Sequence, residues 1–222
     1  MNIWDPFHPL AYFLHSILGV AGILGAIVAL AVTKGSNPHV LAGRAFVLAA
    51  AVAATTAIAF SFTNFAPMSI ASAILMLSVI GSAFLALQNR SPQVVAGELV
   101  TTLLMALALL WLLYGVVMSI PQGGLLWIPP LLLALFATAL LINGFRFKIE
   151  DDAGRRSKRL PRHLSRMAFA FAIAVHEPIV VFADDLNIHP GLAYYGPFII
   201  WPVIFFFFNS CLKKNSLPIA NR

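Results

Sequence analysis

Read along its length, this chain is a series of long apolar runs separated by short polar joints. A helix rises about 1.5 Å per residue, so roughly 20 apolar residues cross the hydrocarbon of a bilayer. Seven runs reach that length: Leu10–Thr33, Val40–Phe62, Phe65–Leu87, Val95–Ile120, Leu125–Phe145, Leu164–Ala183 and Tyr194–Leu212. The joints carry helix breakers: Gly-Ser-Asn-Pro at 35–38, Asn-Arg-Ser-Pro at 89–92, Pro-Gln-Gly-Gly at 121–124 and His-Pro-Gly at 189–191. The pattern predicts an all-α fold, a polytopic integral membrane helix bundle with seven transmembrane helices. Spanning helices packed side by side leave no separate second core, so residues 1–222 read as a single transmembrane domain. The joint on which the helix parity depends most is the one near Asn64, between the second and third runs.

Charge then orients the chain. If the N-terminus is outside, all 14 Lys and Arg fall on the inner face. Lys34 and Arg44 bracket the first turn, Arg90 lies in the third, and Arg146 to Arg166 fill the fifth. Lys213, Lys214 and Arg222 form a cytoplasmic C-terminus. The outer face carries Asp5, Asp184 and Asp185 and no Lys or Arg. This is the positive-inside distribution, and Trp4, Tyr12, Trp127, Tyr194 and Tyr195 sit where an outer aromatic belt is expected. The basic segment 146–163 reads as a cytoplasmic loop. As an orientation signal, the stretch 146–166 would also rest on anionic lipid headgroups.

Composition agrees. Of 222 residues, 60% are apolar and 10% charged, and mean hydropathy is +0.90; soluble domains carry about a quarter charged residues. The formal charge of +6 is explained by orientation, so no nucleic-acid partner is expected. Cys211 is the single cysteine, which excludes an intrachain disulfide and a CxxC metal knuckle. The first apolar run is too long for a signal-peptide core and Asp5 stands where a basic n-region would. A bacterial cytoplasmic membrane is the expected location. Close helix approach is expected at Gly19, Gly22, Gly25 and Ala26, and at Ser78, Gly81 and Ser82. Thr55, Thr56, Thr101 and Thr102 read as packing or back-bonded residues.

The candidate chemistry lies in a few polar residues. His15 and His176 fall in the outer halves of helices 1 and 6. His39 and His163 fall at the inner mouths of helices 2 and 6. Two pairs at two depths suit two b-type haems, each held by imidazoles from different helices. Gly19 and Gly43, each four residues after a histidine, would make room for a porphyrin, and Arg44 and Arg166 would meet its propionates. A redox partner would follow from that reading. Histidines that only bond a neighbouring helix are the alternative. Glu177, beside His176 and followed by Pro178, is the deepest acid and a candidate proton or cation relay, hence a coupled transporter. Either Pro178 kinks helix 6 there or the helix ends earlier and Glu177 is solvated. Asp5, His8, Asp184, Asp185 and His189 on the outer face are residue types that bind a divalent metal; a solvated acidic rim is the alternative. Glu98 is expected to pair with Arg44 or Arg90. No GxSxG, HExxH or HxxxH motif occurs, so enzymatic activity stays open, and helix 7 has no central lysine for a retinal Schiff base.

The run Leu14-His15-Ser16 through Gly25, then Lys34-Gly35-Ser36-Asn37-Pro38-His39 and Gly43-Arg44-Ala45-Phe46-Val47, resembles a bacterial membrane-protein family, domain of unknown function 2306. The segment Arg162-His163-Leu164-Ser165-Arg166-Met167 resembles a later helix opening of the same group. The resemblance covers helices 1, 2 and 6, about half the chain. It implies functional weight at His15, His39, Gly43, Arg44, His163 and Arg166, and no reaction; His176-Glu177 falls outside it. A haem-binding redox protein is the leading expectation, with a transporter or a structural or sensory membrane component as alternatives.

Overall fold

The computed structural model describes residues 9–63, 67–122, 128–149 and 152–213. They form seven α-helices, α1 (Pro9–Ala31), α2 (Asn37–Thr63), α3 (Pro67–Leu85), α4 (Pro92–Ser119), α5 (Ile128–Ile149), α6 (Asp152–Val181) and α7 (Pro190–Lys213). A 3-10 turn, Ile120–Gln122, follows α4, and no β-strand occurs among the described residues. Four of the helices are long and apolar enough to cross a membrane, over Phe13–Ala31, Asn37–Ser61, Pro92–Ser119 and Pro130–Lys148. Ser69–Leu85 and Gly196–Leu212 are shorter apolar helices. The joint near Asn64 lies at 64–66, outside the described residues.

The helix ends follow local chemistry. The Ser91 hydroxyl accepts the Val94 amide at 3.3 Å and Pro92 takes the first turn, so α4 begins there, not at Val95. Gly35, at φ +80°, turns the chain between α1 and α2 in the left-handed region that glycine tolerates. α6 differs most from expectation. The basic stretch after Phe145 is largely helical: α5 runs on to Ile149 and α6 begins at Asp152. Arg155, Arg162 and Arg166 recur at i, i+7 and i+11, one face of a helix. All three are buried, while Arg146, Arg156 and Lys158 stay exposed.

Two compact units share the chain. Unit 1 takes in the residues up to Thr56 and from Ala168 on; unit 2 is Ala57–Met167. In unit 1, Gly22 and Gly25 bring α1 onto α2. A Cβ on Gly25 would stand 3.0 Å from Ala42 O, and one on Gly22 would stand 3.2 Å from the Ala49 Cβ. Gly19 has nothing within 4 Å of such a Cβ, so it plays no part in this approach. In unit 2, α3 packs on α4 and α4 on α5. α3 is buried almost all round, and its Ser78 and Ser82 hydroxyls donate back to Leu75 O and Val79 O. A Cβ on Gly81 would come within 3.0 Å of Thr101. Large apolar side chains such as Phe13, Leu24, Leu48, Leu103, Leu110, Val203 and Phe206 face outward along α1, α2, α4 and α7. Monomeric soluble proteins rarely expose so much contiguous apolar surface.

Candidate functional site

His39 and His163 each close a helix end. The last carbonyls of a helix lack amide partners, and in lipid an unsatisfied carbonyl costs several kcal/mol. At the end of α1, Lys34 curls back and its Nζ donates to Ala29 O at 3.0 Å, to Leu30 O, and to Val32 O at 3.1 Å. His39 Nδ1 donates to Ala29 O at 2.9 Å. The ammonium also sits 4.7 Å from the ring centre of Phe208 on α7. Its positive charge meets the negative end of the α1 dipole. Burial pulls its pKa below the usual lysine value. The Lys-Gly turn and the following histidine therefore form one capping device.

His163 does the same in unit 2. At the end of α3, Ser82 O, Phe84 O and Leu85 O accept amides from Ala86, Leu87 and Gln88. Ala83 O accepts His163 Nδ1 at 3.0 Å. In both cases the acceptor is a carbonyl, so Nδ1 carries the hydrogen.

The cluster around His15 and His176 lies within unit 1. His15 Nδ1 is 2.9 Å from Thr56 Oγ1, whose own hydrogen goes back to Ala53 O at 2.8 Å or Val52 O at 3.0 Å. Thr56 is thus the acceptor and His15 the Nδ1 donor. His176 is buried with its ring centre 4.9 Å from that of Phe198, and its Nδ1 lies 3.9 Å from Glu177 Oε1. Glu177 also stands within coulombic reach of His15. Two imidazoles and one carboxylate, from α1 and α6, therefore share one electrostatic neighbourhood. α6 does not stop before Glu177; it continues past Pro178 to Val181, while the Glu177 side chain keeps 52% of its surface exposed.

The remaining expected site residues are dispersed. Gly43 has open space beside its Cα, and Arg44 is exposed. Arg166 does not reach outward for a propionate: it is 1% exposed and its Nε donates to Ser82 Oγ at 2.6 Å. Asp5 and His8 lie outside the described residues. Asp184, Asp185 and His189 are exposed on the α6–α7 turn. Among the described residues no three His, Cys, Asp or Glu side chains are grouped to hold a metal ion.

Unit 2 holds a polar centre at a place that reading the sequence missed. Glu98 pairs with Arg155 of α6, through Oε1 at 2.8 Å and Oε2 at 3.4 Å, and not with Arg44 or Arg90, which are exposed. Both partners are buried. The Glu98 carbonyl takes the hydroxyls of Thr101 and Thr102, as expected of back-bonded threonines. Arg155 and Arg162 both lie over the Phe147 ring, at 4.3 and 4.1 Å. Asn143 gathers Arg162 through its carbonyl at 3.1 Å and Arg166 through Oδ1 at 3.3 Å. The 155–162–166 spacing was the available signal.

Comparison with known proteins adds no assignment: no protein-family model, curated protein or solved structure matches this chain.

Proposed function

We propose that this is a seven-span protein of the bacterial cytoplasmic membrane, N-terminus outside and C-terminus in the cytoplasm, which moves protons through a cluster in its outer half. Four apolar helices of spanning length, the outward apolar side chains and the one-sided charge support the membrane assignment. Exposed Arg146 and Arg156 would rest on anionic headgroups. The resemblance to domain of unknown function 2306 belongs to the same proposal. Its Lys34-Gly35 and His39 positions are those that close α1.

The observation that carries the relay is that Glu177 lies close to His176 and within reach of His15. Ionisable side chains within spanning segments are costly and mark ion or proton pathways. Glu177 gains and loses the proton, and the two imidazoles set the charge it meets. Coupled to a solute, this is a proton-coupled carrier; alone, it is a proton relay. In proteoliposomes under an imposed potassium-diffusion potential, Glu177→Gln is expected to cut proton flux at least about tenfold, with an unchanged melting temperature. Equal flux in both proteins would overturn the relay.

A haem-binding redox protein is the second reading. It is favoured by one feature: His39 donates through Nδ1 to a backbone carbonyl, which is how histidines that ligate a metal through Nε2 are oriented. Arg44 stays available for a propionate in that reading and Arg166 does not. The absorption spectrum of the same purified sample, made with haem supplied, decides it. A Soret band that shifts with dithionite supports it, and a spectrum without one removes it.

A further inference from the structure

We propose that Thr56 is a positioning residue of the relay: its hydroxyl fixes the His15 ring in one tautomer and one orientation, and the glycine seam between α1 and α2 sets the register that brings the two together. The proposal rests on the relay reading above and lies wholly within unit 1.

The first support is the chemistry of the bond. A threonine hydroxyl has one hydrogen and two lone pairs. In Thr56 that hydrogen is directed to its own helix, to Ala53 O at 2.8 Å or Val52 O at 3.0 Å. What the oxygen offers His15 Nδ1, 2.9 Å away, is therefore a lone pair. The hydrogen of the neutral imidazole sits on Nδ1, and the ring is turned so that this nitrogen faces α2. The branched Cβ leaves a helical threonine few rotamers, so the acceptor stays in place.

The second is register. From His15, seven residues along α1 lead to Gly22 and three more to Gly25. From Thr56, seven residues back along α2 lead to Ala49 and three more to Phe46. These are the residues that meet: a Cβ on Gly22 would stand 3.2 Å from Ala49 Cβ, and one on Gly25 would stand 3.2 Å from Phe46 N. Contacts that step equally in opposite directions belong to two antiparallel helices in fixed register. Seven residues are just under two turns, so the contacts lie on one face, with His15 about 10 Å along the axis from Gly22. Because positions 22 and 25 carry no side chain, the backbones come close enough for a short threonine to reach the imidazole.

The third is what the bond does for the site. Glu177 of α6 lies within electrostatic range of His15. A neutral imidazole is a dipole whose direction depends on which nitrogen carries the hydrogen. Fixing the tautomer fixes the field that Glu177 meets as it gains and loses its proton. Without the hydroxyl the ring can turn and its tautomers can exchange. Serine keeps the hydroxyl; valine keeps the shape of threonine without it.

The test compares the full-length parent, Thr56→Val and Thr56→Ser in lipid bilayers. Solid-state NMR of protein labelled with ¹⁵N histidine reads the tautomer at alkaline pH, independently of any flux; the His15 signals are those lost in His15→Gln. Hydrogen on Nδ1 is expected in the parent and in Thr56→Ser, and a mixture of tautomers in Thr56→Val. In the proteoliposome assay Thr56→Val is expected to lower proton flux about tenfold, with Thr56→Ser close to the parent. Hydrogen on Nε2 in the parent, an unchanged single tautomer in Thr56→Val, or a changed tautomer with unchanged flux would each overturn the proposal. Glu177→Gln, run beside them, separates the two readings. Flux lost in Glu177→Gln but kept in Thr56→Val removes Thr56 alone; equal flux in Glu177→Gln and the parent removes the relay and this role with it. If Thr56→Val fails to fold, Thr56→Ala takes its place under the same criteria.

Discussion

Glu98→Ala is expected to be the most damaging single substitution among the polar residues of this protein. It should cost about 3–5 kcal/mol, because it strands Arg155 as an uncompensated buried cation. For a chain of this length that lowers the melting temperature by about 10 °C. The cost goes beyond the lost ion pair. Arg155 and Arg162 lie over the same phenylalanine ring, and Arg166 is near enough to share Asn143 with Arg162. Among the described residues Glu98 is the acid that pairs with this group. The double variant Glu98→Met with Arg155→Met removes both members of the pair and is expected to recover most of the loss, since apolar replacements of a buried pair are often neutral. Thermal melts of the three proteins in one detergent check this. Equal stability of Glu98→Ala and the parent would show that the pair is not buried as described.

Gly25→Leu is the second large effect. At this position α1 meets the backbone of α2, with Ala42 O and Phe46 N at 3.0 and 3.2 Å from where a Cβ would be. Backbone atoms of a helix cannot turn aside as a side chain does, so α1 must move away. The expected cost is about 3 kcal/mol, at the upper end for overpacking. The expected readout is a fall in the yield of monodisperse protein together with a lower melting temperature. Gly19→Ala is the internal control. It projects into open space and, by helix propensity, is neutral or stabilising by up to about 1 kcal/mol. If both variants behave alike, the close approach is not at Gly25.

The helices themselves were legible because their signals are local. Apolar length and breaker residues predict seven segments, and seven helices form in that order. Two of the four small residues singled out in α1, Gly22 and Gly25, make a close approach, and the helix they meet is α2; Gly19 does not, since spacing alone does not say which side of the helix meets a neighbour. The start of α6 was misjudged for a related reason. A run rich in Lys and Arg usually stays wet, so residues 146–163 read as a loop. Whether such a run can fold inward depends on an acid and polar groups far away in sequence: Glu98 lies 57 residues from Arg155, and Ser82 lies 84 residues from Arg166. The face formed by Arg155, Arg162 and Arg166 was visible in the sequence; its partners were not.

The histidines show the same limit. Their places along the helices were readable, but what each ring nitrogen bonds was not. His39 and His163 turn out to serve the ends of α1 and α3, a role that Lys34-Gly35 hints at locally and that nothing near His163 reveals. That His15 of α1 and Glu177 of α6 come within electrostatic range of one another required the fold.

The central claim is that the chain is threaded through a bilayer with its basic α5–α6 segment in the cytoplasm and its α6–α7 turn outside. The direct measurement is cysteine labelling in a Cys211→Ser background. Single variants Ser157→Cys and Asp185→Cys are treated with a membrane-impermeant maleimide, first on intact cells whose outer permeability barrier has been opened, then after lysis. The account predicts that position 185 reacts in intact cells and position 157 reacts only after lysis. Reaction of both positions from the same side would contradict it.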